Sequence, residues 1–330
     1  MNRTASTRPV TERLLPDAHG LARAACLLAE GGLVAFPTET VYGLGADGRN
    51  AAAVAALYAA KGRPSFNPLI AHVASLGGAE REGRLGPEAA RLAAAFWPGP
   101  LTLVVPRAET GTVCDLARAG LDTIGLRIPA HPVARNLLAL CGFPVVAPSA
   151  NLSGRISPTR AEDVLGDLDG AIAAVVMGGA TAIGVESTIV ACLDGPPRLL
   201  RPGGVTREDI ERRLGRPLEG AGEAADRPLA PGGLLSHYAP RARVRLDVAE
   251  ILPGEALLTF AAFRPAGHSQ ARQVLDLSPD GDLAEAAANL FGYLRRLDAS
   301  GAETIAVAPI PGRGLGEAIN DRLRRAAAER

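Results

Sequence analysis

The chain has almost no lysine. Lys and Arg together number 35 of its 330 residues, and Lys61 is the single lysine among them. A bias of codon or genome composition toward arginine accounts for most of such a skew, which makes the exception informative. Lysine offers a compact point charge with three rotatable donors on a slim stem, and a guanidinium does not copy it. Cysteine is also scarce. Cys26, Cys114, Cys141 and Cys192 form no CxxC pair, and their spacing fits neither a zinc site nor a disulfide framework. They are expected to be reduced, buried thiols. Aromatic residues make up 4% and are not interleaved with basic ones, which argues against a nucleic-acid stacking platform. The formal net charge is zero, so nothing global draws the chain to nucleic acid or a membrane surface. No apolar run reaches the length of a membrane span. Residues 1–10 lack the apolar core of a signal peptide and read as a frayed tail of a cytoplasmic protein.

What is present is an ordinary globular composition, 47% hydrophobic and 21% charged, long enough for about two domains. Short apolar runs alternate with helical periodicity. Helices are expected over 11–31, 50–60, 87–96, 132–140 and 206–214, and strands over 33–36, 69–73, 101–105, 123–128, 145–147, 171–177 and 187–191. Residues 38–45 are expected as a glycine-bearing loop. Alternation of this kind predicts a layered α/β domain over 11–215. Residues 216–243 turn rich in Pro, Gly and Ala and read as a linker. Inside it sits Ser236-His237-Tyr238-Ala239-Pro240, an island that a bare spacer does not need. A smaller α/β unit is expected over 244–330. It has strands near 256–260, 273–277 and 304–308, a helix capped by Asp282 with Leu283, Ala287, Leu290, Leu294 and Leu297 on one face, and a final helix over 315–327.

Nucleotide motifs give a mixed answer. The only lysine precedes Gly62, so no Walker-A GK[ST] exists. Gly43, Gly45 and Gly48 satisfy GxGxxG, but no Asp or Glu occurs from Arg49 to Ala79, where a dinucleotide fold needs a ribose-binding acid. The same gap contains Arg49, Lys61, Arg63 and His72 with no internal counter-charge. Two readings stay open: an anion site, or a basic face paired with acids from elsewhere in the fold.

An ordered set of segments settles the class. Pro37-Thr38-Glu39-Thr40-Val41-Tyr42-Gly43-Leu44-Gly45 comes first, then Lys61-Gly62-Arg63-Pro64 and Pro68-Leu69-Ile70-Ala71-His72-Val73. Pro148-Ser149-Ala150-Asn151-Leu152-Ser153-Gly154, Glu186-Ser187-Thr188-Ile189-Val190 and Arg201-Pro202-Gly203 follow. The set resembles the YrdC-like threonylcarbamoyl-AMP synthases. His237-Tyr238-Ala239-Pro240 and the C-terminal unit resemble that family's long form. The resemblance spans nearly the whole chain.

It implies a YrdC-like twisted mixed sheet with flanking helices, plus a smaller Rossmann-like α/β domain. It also implies a nucleotidyltransferase that joins L-threonine, bicarbonate and ATP, with Mg2+ accompanying ATP. The product would be consumed by a separate tRNA-modifying transfer complex, with weak or no direct nucleic-acid binding by this chain. Lys61 and Arg63 would be the catalytic anion pair. Thr38, Arg63, His72 and Ser187 would hold threonine. Tyr42, Lys61, Ser149, Asn151 and Arg201 would hold the nucleotide. His237 and Tyr238 would form a lid. Glu186 is open between a base, a magnesium ligand and a structural salt bridge, and no metal ligand is identified. Two departures stand out. Ala191-Cys192 replaces an acidic residue frequent after Ser-Thr-Ile-Val, and Gly232-Gly233-Leu234-Leu235-Ser236 replaces a lysine-rich approach to the His-Tyr pair. Two other readings remain. One is related carbamoyl-adenylate chemistry, whose proteins usually carry acylphosphatase, zinc-finger or Kae-like modules that this sequence lacks. The other is an RNA-binding module, which neutral charge disfavours.

Overall fold

In a computed structural model the chain builds two α/β units, each a sheet covered by helices. The structure describes residues 10–220, 229 and 238–328. The frayed tail over 1–9, His237 and most of the linker lie outside them.

The first unit runs β1 (Glu12–Leu14), α1 (Ala18–Ala29), β2 (Val34–Pro37), β3 (Tyr42–Asp47), α2 (Ala51–Lys61), β4 (Ile70–His72), α3 (Leu76–Glu82) and α4 (Pro87–Phe96). It continues with β5 (Leu101–Pro106), β6 (Thr123–Arg127), α5 (Pro132–Cys141), β7 (Val145–Val146), α6 (Ala161–Leu168), β8 (Ala174–Val176), β9 (Thr188–Ala191), β10 (Arg198–Arg201) and α7 (Arg207–Leu214). Its strands form one mixed sheet in the order β1-β8-β2-β3-β7-β4-β6-β5-β9-β10. The second unit holds β11 (Arg243–Arg245), β12 (Ala256–Thr259), β13 (Val274–Asp276), α8 (Leu283–Asp298), β14 (Thr304–Val307) and α9 (Leu315–Ala327). Its sheet is fully parallel, in the order β11-β14-β12-β13, as a Rossmann-like unit requires.

Two local expectations change. The single helix expected over 11–31 is a strand followed by a helix. Glu12–Leu14 pairs in parallel with β8, and α1 starts only after Asp17, whose side chain accepts from the Gly20 amide. Pro16 disfavours helix at Leu15, and Asp17 then caps a fresh start. The expected loop over 38–45 is half strand: β3 pairs antiparallel with β2, Pro37 opposite Tyr42 and Val34 opposite Gly45. Its glycines serve close packing. A Cβ on Gly45 would lie 2.9 Å from the Phe36 ring and 3.0 Å from Val145 Cγ1.

Strand alternation divides the core into faces. Leu57, Leu92, Leu103, Val164 and Ile210 pack under α2, α4, α6 and α7 on one face. On the other, α1 and α5 cover Val34, Phe36 and Val176. Toward β10 this second face carries only a small apolar patch, Ile70, Val104, Ile189 and Ala191. Leu229, the one described residue inside the masked part of the linker, lines a small cavity there with Ile70 and Val104. The functional pocket opens on this same face.

Candidate active site

A cavity with about 50 Å3 of free volume is lined by Thr38, Arg63, Ile70, His72, Arg127, Ser149, Glu186, Ser187, Arg201 and Tyr238, among others. Each side chain is placed by a definite piece of fold. Thr38 heads the β2–β3 turn. Its hydroxyl donates to the Val41 carbonyl at 2.7 Å, lies 2.8 Å from Thr40 Oγ1, and accepts from the Thr40 and Val41 amides. Such a turn holds itself rigid with one side chain. His72 shares with Ile70 the face of β4 on which the pocket opens. It meets Phe36 edge-to-face at 6.4 Å, and its Nδ1 lies 3.2 Å from the Ile70 carbonyl. Burial, reinforced by the Arg127 charge, drops its pKa to about 3, so it is a neutral imidazole at physiological pH.

Ser187 ends the approach to β9, and its Oγ sits 2.8 Å from Thr102 Oγ1. Arg201 reaches it because the β9–β10 ladder slips. Leu199 pairs with Val190 but Arg201 pairs with Ile189, leaving one extra residue on β10. That bulge rotates Arg201 onto the site face. Its Nη2 donates to the Ser187 carbonyl at 2.9 Å and Ser187 Oγ at 3.3 Å. Arg63 Nη2 donates at 3.3–3.4 Å to the Pro68 and Asn67 carbonyls, and its Nε is buried with no partner. Burial lowers the Arg63 pKa to about 10, and burial lowers that of Arg201 as well. Both stay charged, and neither forms an ion pair with a described residue.

Three predicted site residues stand just behind the wall. Lys61, 2% exposed at the end of α2, donates its ammonium to the Ser149 carbonyl at 2.6 Å and to that of Asn151. Burial, then the Arg63 charge, pushes it well below the ordinary lysine pKa. Asn151 donates to the Leu152 and Arg155 carbonyls, while its Oδ1 is buried without a partner. Tyr42 donates to the Gly179 carbonyl at 2.8 Å and accepts from the Gly178 amide. Lys61 and Asn151 thus fasten the turn that presents Ser149, and Tyr42 closes off the β3 edge of that turn.

The acid-free stretch divides. Arg49 is paired, with Asp47 at 2.9 Å, whereas Lys61 and Arg63 are held by carbonyls. Glu186 makes a salt bridge to Arg322 at 2.7 Å and accepts from Ser157 Oγ at 2.6 Å. Tyr238 is 1% exposed, stacks on Phe291 at 5.5 Å, and holds φ at +62°, a conformation costly for a non-glycine residue. Sequence reasoning missed Arg127, which ends β6 and pairs with Glu39 at 2.6 Å. An arginine closing an otherwise buried strand was its only signal.

Among the described residues, three arginines and one ion-paired carboxylate line a pocket in the first unit, a site suited to anionic substrates in a YrdC-like fold. The family follows from likeness across the whole chain. Residues 26–203 match the Sua5_yciO_yrdC model, described as telomere recombination. Residues 205–328 match the threonylcarbamoyl-AMP synthase C-terminal domain. The threonylcarbamoyl-AMP synthase of Bacillus subtilis is 42% identical over 97% of this chain and 96% of its own length. That of Pyrococcus abyssi is 42% identical over 93% and 94%. The crystal structure of P. abyssi Sua5 complexed with L-threonine has a TM-score of 0.85 at 38% identity, covering 96% of this chain and 97% of that one. The chain belongs to the threonylcarbamoyl-AMP synthase family.

Proposed function

We propose that this enzyme condenses L-threonine, bicarbonate or CO2, and ATP into threonylcarbamoyl-AMP and pyrophosphate. The observation that carries the reading is the pairing of Arg63 with Arg201. Two buried guanidiniums line one pocket, held by carbonyls and ion-paired with no described carboxylate. Threonine brings a carboxylate, ATP a triphosphate, and the intermediate a carbamate. The neutral amine of threonine attacks CO2 and loses a proton, giving a carbamate. A carbamate oxygen then attacks the α-phosphate, and pyrophosphate departs with the bond's electron pair. Negative charge builds on phosphoryl oxygens, where fixed cations and donors act most strongly.

In this reading Thr38, Ser187, Arg63 and the neutral His72 hold threonine. Ser149 and Arg201 face the nucleotide. Lys61, Asn151 and Tyr42 act through the turn they fasten, and Arg63 with Arg201 supplies the positive field. Mg2+ enters on the ATP phosphates as part of the substrate. Among the described residues no group of three His, Cys, Asp or Glu could hold a metal, and both Glu186 oxygens are engaged. Tyr238 lines the pocket while only 1% exposed. In this reading Tyr238 is a lid that withdraws to admit substrate, while His237, its partner in the lid reading, lies outside the described residues. The catalytic unit is 11–215, the strap 216–243, and the second domain 244–330. The product is consumed by a separate tRNA-modifying complex in the cytoplasm. Incubating the enzyme with threonine, ATP and carbon-13 bicarbonate should give an adenylate containing one labelled carbon. An unlabelled adenylate, or none, overturns the reading.

A further inference from the structure

The second domain sends one side chain to the back of the pocket wall, where it meets the lining residue Glu186. Arg322, on α9, has no solvent exposure. Its Nε donates to Glu186 Oε2 at 2.7 Å, and its Nη1 donates to the Pro202 carbonyl at 2.9 Å and to Asp321 at 2.7 Å. Its guanidinium lies 5.3 Å from the centroid of the Tyr238 ring. Pro202 directly follows Arg201, and Glu186 directly precedes Ser187. One arginine from another domain thus braces the two segments that present the pocket's donors. A buried arginine is costly unless paired, so the arrangement asks for a reason.

We propose that Arg322 is a positioning residue for the reaction. It neutralises Glu186, the one carboxylate lining the pocket among the described residues, so that the site accepts anionic substrates only when the two domains are docked. This rests on the reading of the site as one for threonine and ATP. The pocket's positive charge comes from Arg63, Arg127 and Arg201, and Glu39 already meets Arg127. A bare Glu186 beside Ser187 would repel the carboxylate and phosphates that Arg63 and Arg201 attract. The charged and titratable groups facing Glu186 are Arg322 and Asp321 from α9, Arg201 from β10, and Tyr238 from the strap. Burial alone would raise its carboxyl. Arg322 first, then Arg201 and the Ser157 hydrogen bond, outweigh burial and hold it at about 2. With Arg322 gone, burial wins and the carboxyl takes up a proton at much higher pH.

The test compares the full chain with R322M and with the double variant E186Q/R322M. Pyrophosphate release gives KM and kcat, and calorimetry gives the affinity for Mg·ATP. R322M should raise KM for threonine and ATP by at least about tenfold at about pH 8, with a smaller change in kcat. The penalty should shrink as pH is lowered, because Glu186 takes up its proton at higher pH in the variant than in the wild type. The double variant should return KM to within about threefold of wild type, because no bare charge remains. A loss unchanged by pH and not rescued by E186Q overturns the proposal, as does an unchanged KM in R322M. If R322M does not fold, the double variant decides: a tenfold weaker KM there defeats the idea. Should the wild type release no pyrophosphate with threonine, the reading of the reaction fails, and the Mg·ATP affinities still judge Arg322.

Discussion

Lys61 shows how one residue can be singled out by composition and explained only by position. Its rarity drew attention, but its ammonium points at the Ser149 and Asn151 carbonyls and is no part of the pocket's surface. The turn it fastens is also tied to β3 through the Ala150 amide and the Tyr42 carbonyl, and Ser153 donates back to the Lys61 carbonyl. A guanidinium is wider than the slot between two carbonyls. K61R, the substitution this arginine-rich chain would otherwise favour, should destabilise the fold by about 1–3 kcal/mol through overpacking. It should also cut turnover at least about tenfold, because misplaced substrate-facing groups are expensive. Thermal melts and rate measurements check both. Wild-type values in each would mean that the lysine is dispensable. Sequence reasoning found the residue and its neighbourhood. It could not tell a charge facing substrate from one facing backbone, because both need the same lysine.

At the scale of elements, most strands and helices were readable from periodicity and punctuation. Asn50 caps α2 and Gly62 ends it in the left-handed region, as the glycine at that place suggests. The failures are instructive. β1 has three residues, too few for any alternation to register. The β10 bulge is invisible locally, since its register depends on β9, yet it is what turns Arg201 toward Ser187. The next turn is equally constrained. A Cβ on Gly203 would fall 2.3 Å from the Glu186 carbonyl oxygen and 2.4 Å from the Thr188 amide nitrogen. Backbone cannot yield there as a flexible side chain would. G203A should therefore push the β10 turn off the segment containing Ser187. Activity should fall by about a hundredfold or more, with a clear loss of thermal stability, because a 1 Å displacement at a catalytic constellation already costs that much. Circular dichroism melts beside rate measurements test this, and a variant with normal activity would show that the close approach is not needed.

At the scale of the whole molecule, the two domains share a core. Tyr238, Val41, Ile156 and Val185 pack in one cluster with Phe291, Leu290 and Leu294 of the second unit. Gly184 sits so close to α8 that a Cβ would lie 2.3 Å from the Ala287 carbonyl oxygen. The sequence showed a separate C-terminal α/β unit and an odd His-Tyr island between the units. It held no sign that the second unit reaches the back of the pocket wall through Arg322. Arg322 lies in a helix with ordinary amphipathic patterning, and its partner Glu186 is 136 residues away in the chain. Tyr238 is the hinge between these levels, anchored by the Ala239 amide on the Gly154 carbonyl. Y238A removes a buried ring and should lower turnover at least about tenfold while the chain stays folded. An unchanged rate would remove the strap from the mechanism.

The central claim is the reaction itself, and pyrophosphate release from ATP tests it most directly. With the purified full-length chain, release should require L-threonine and bicarbonate together, and serine should substitute poorly. Pyrophosphate released equally well without threonine would contradict the account.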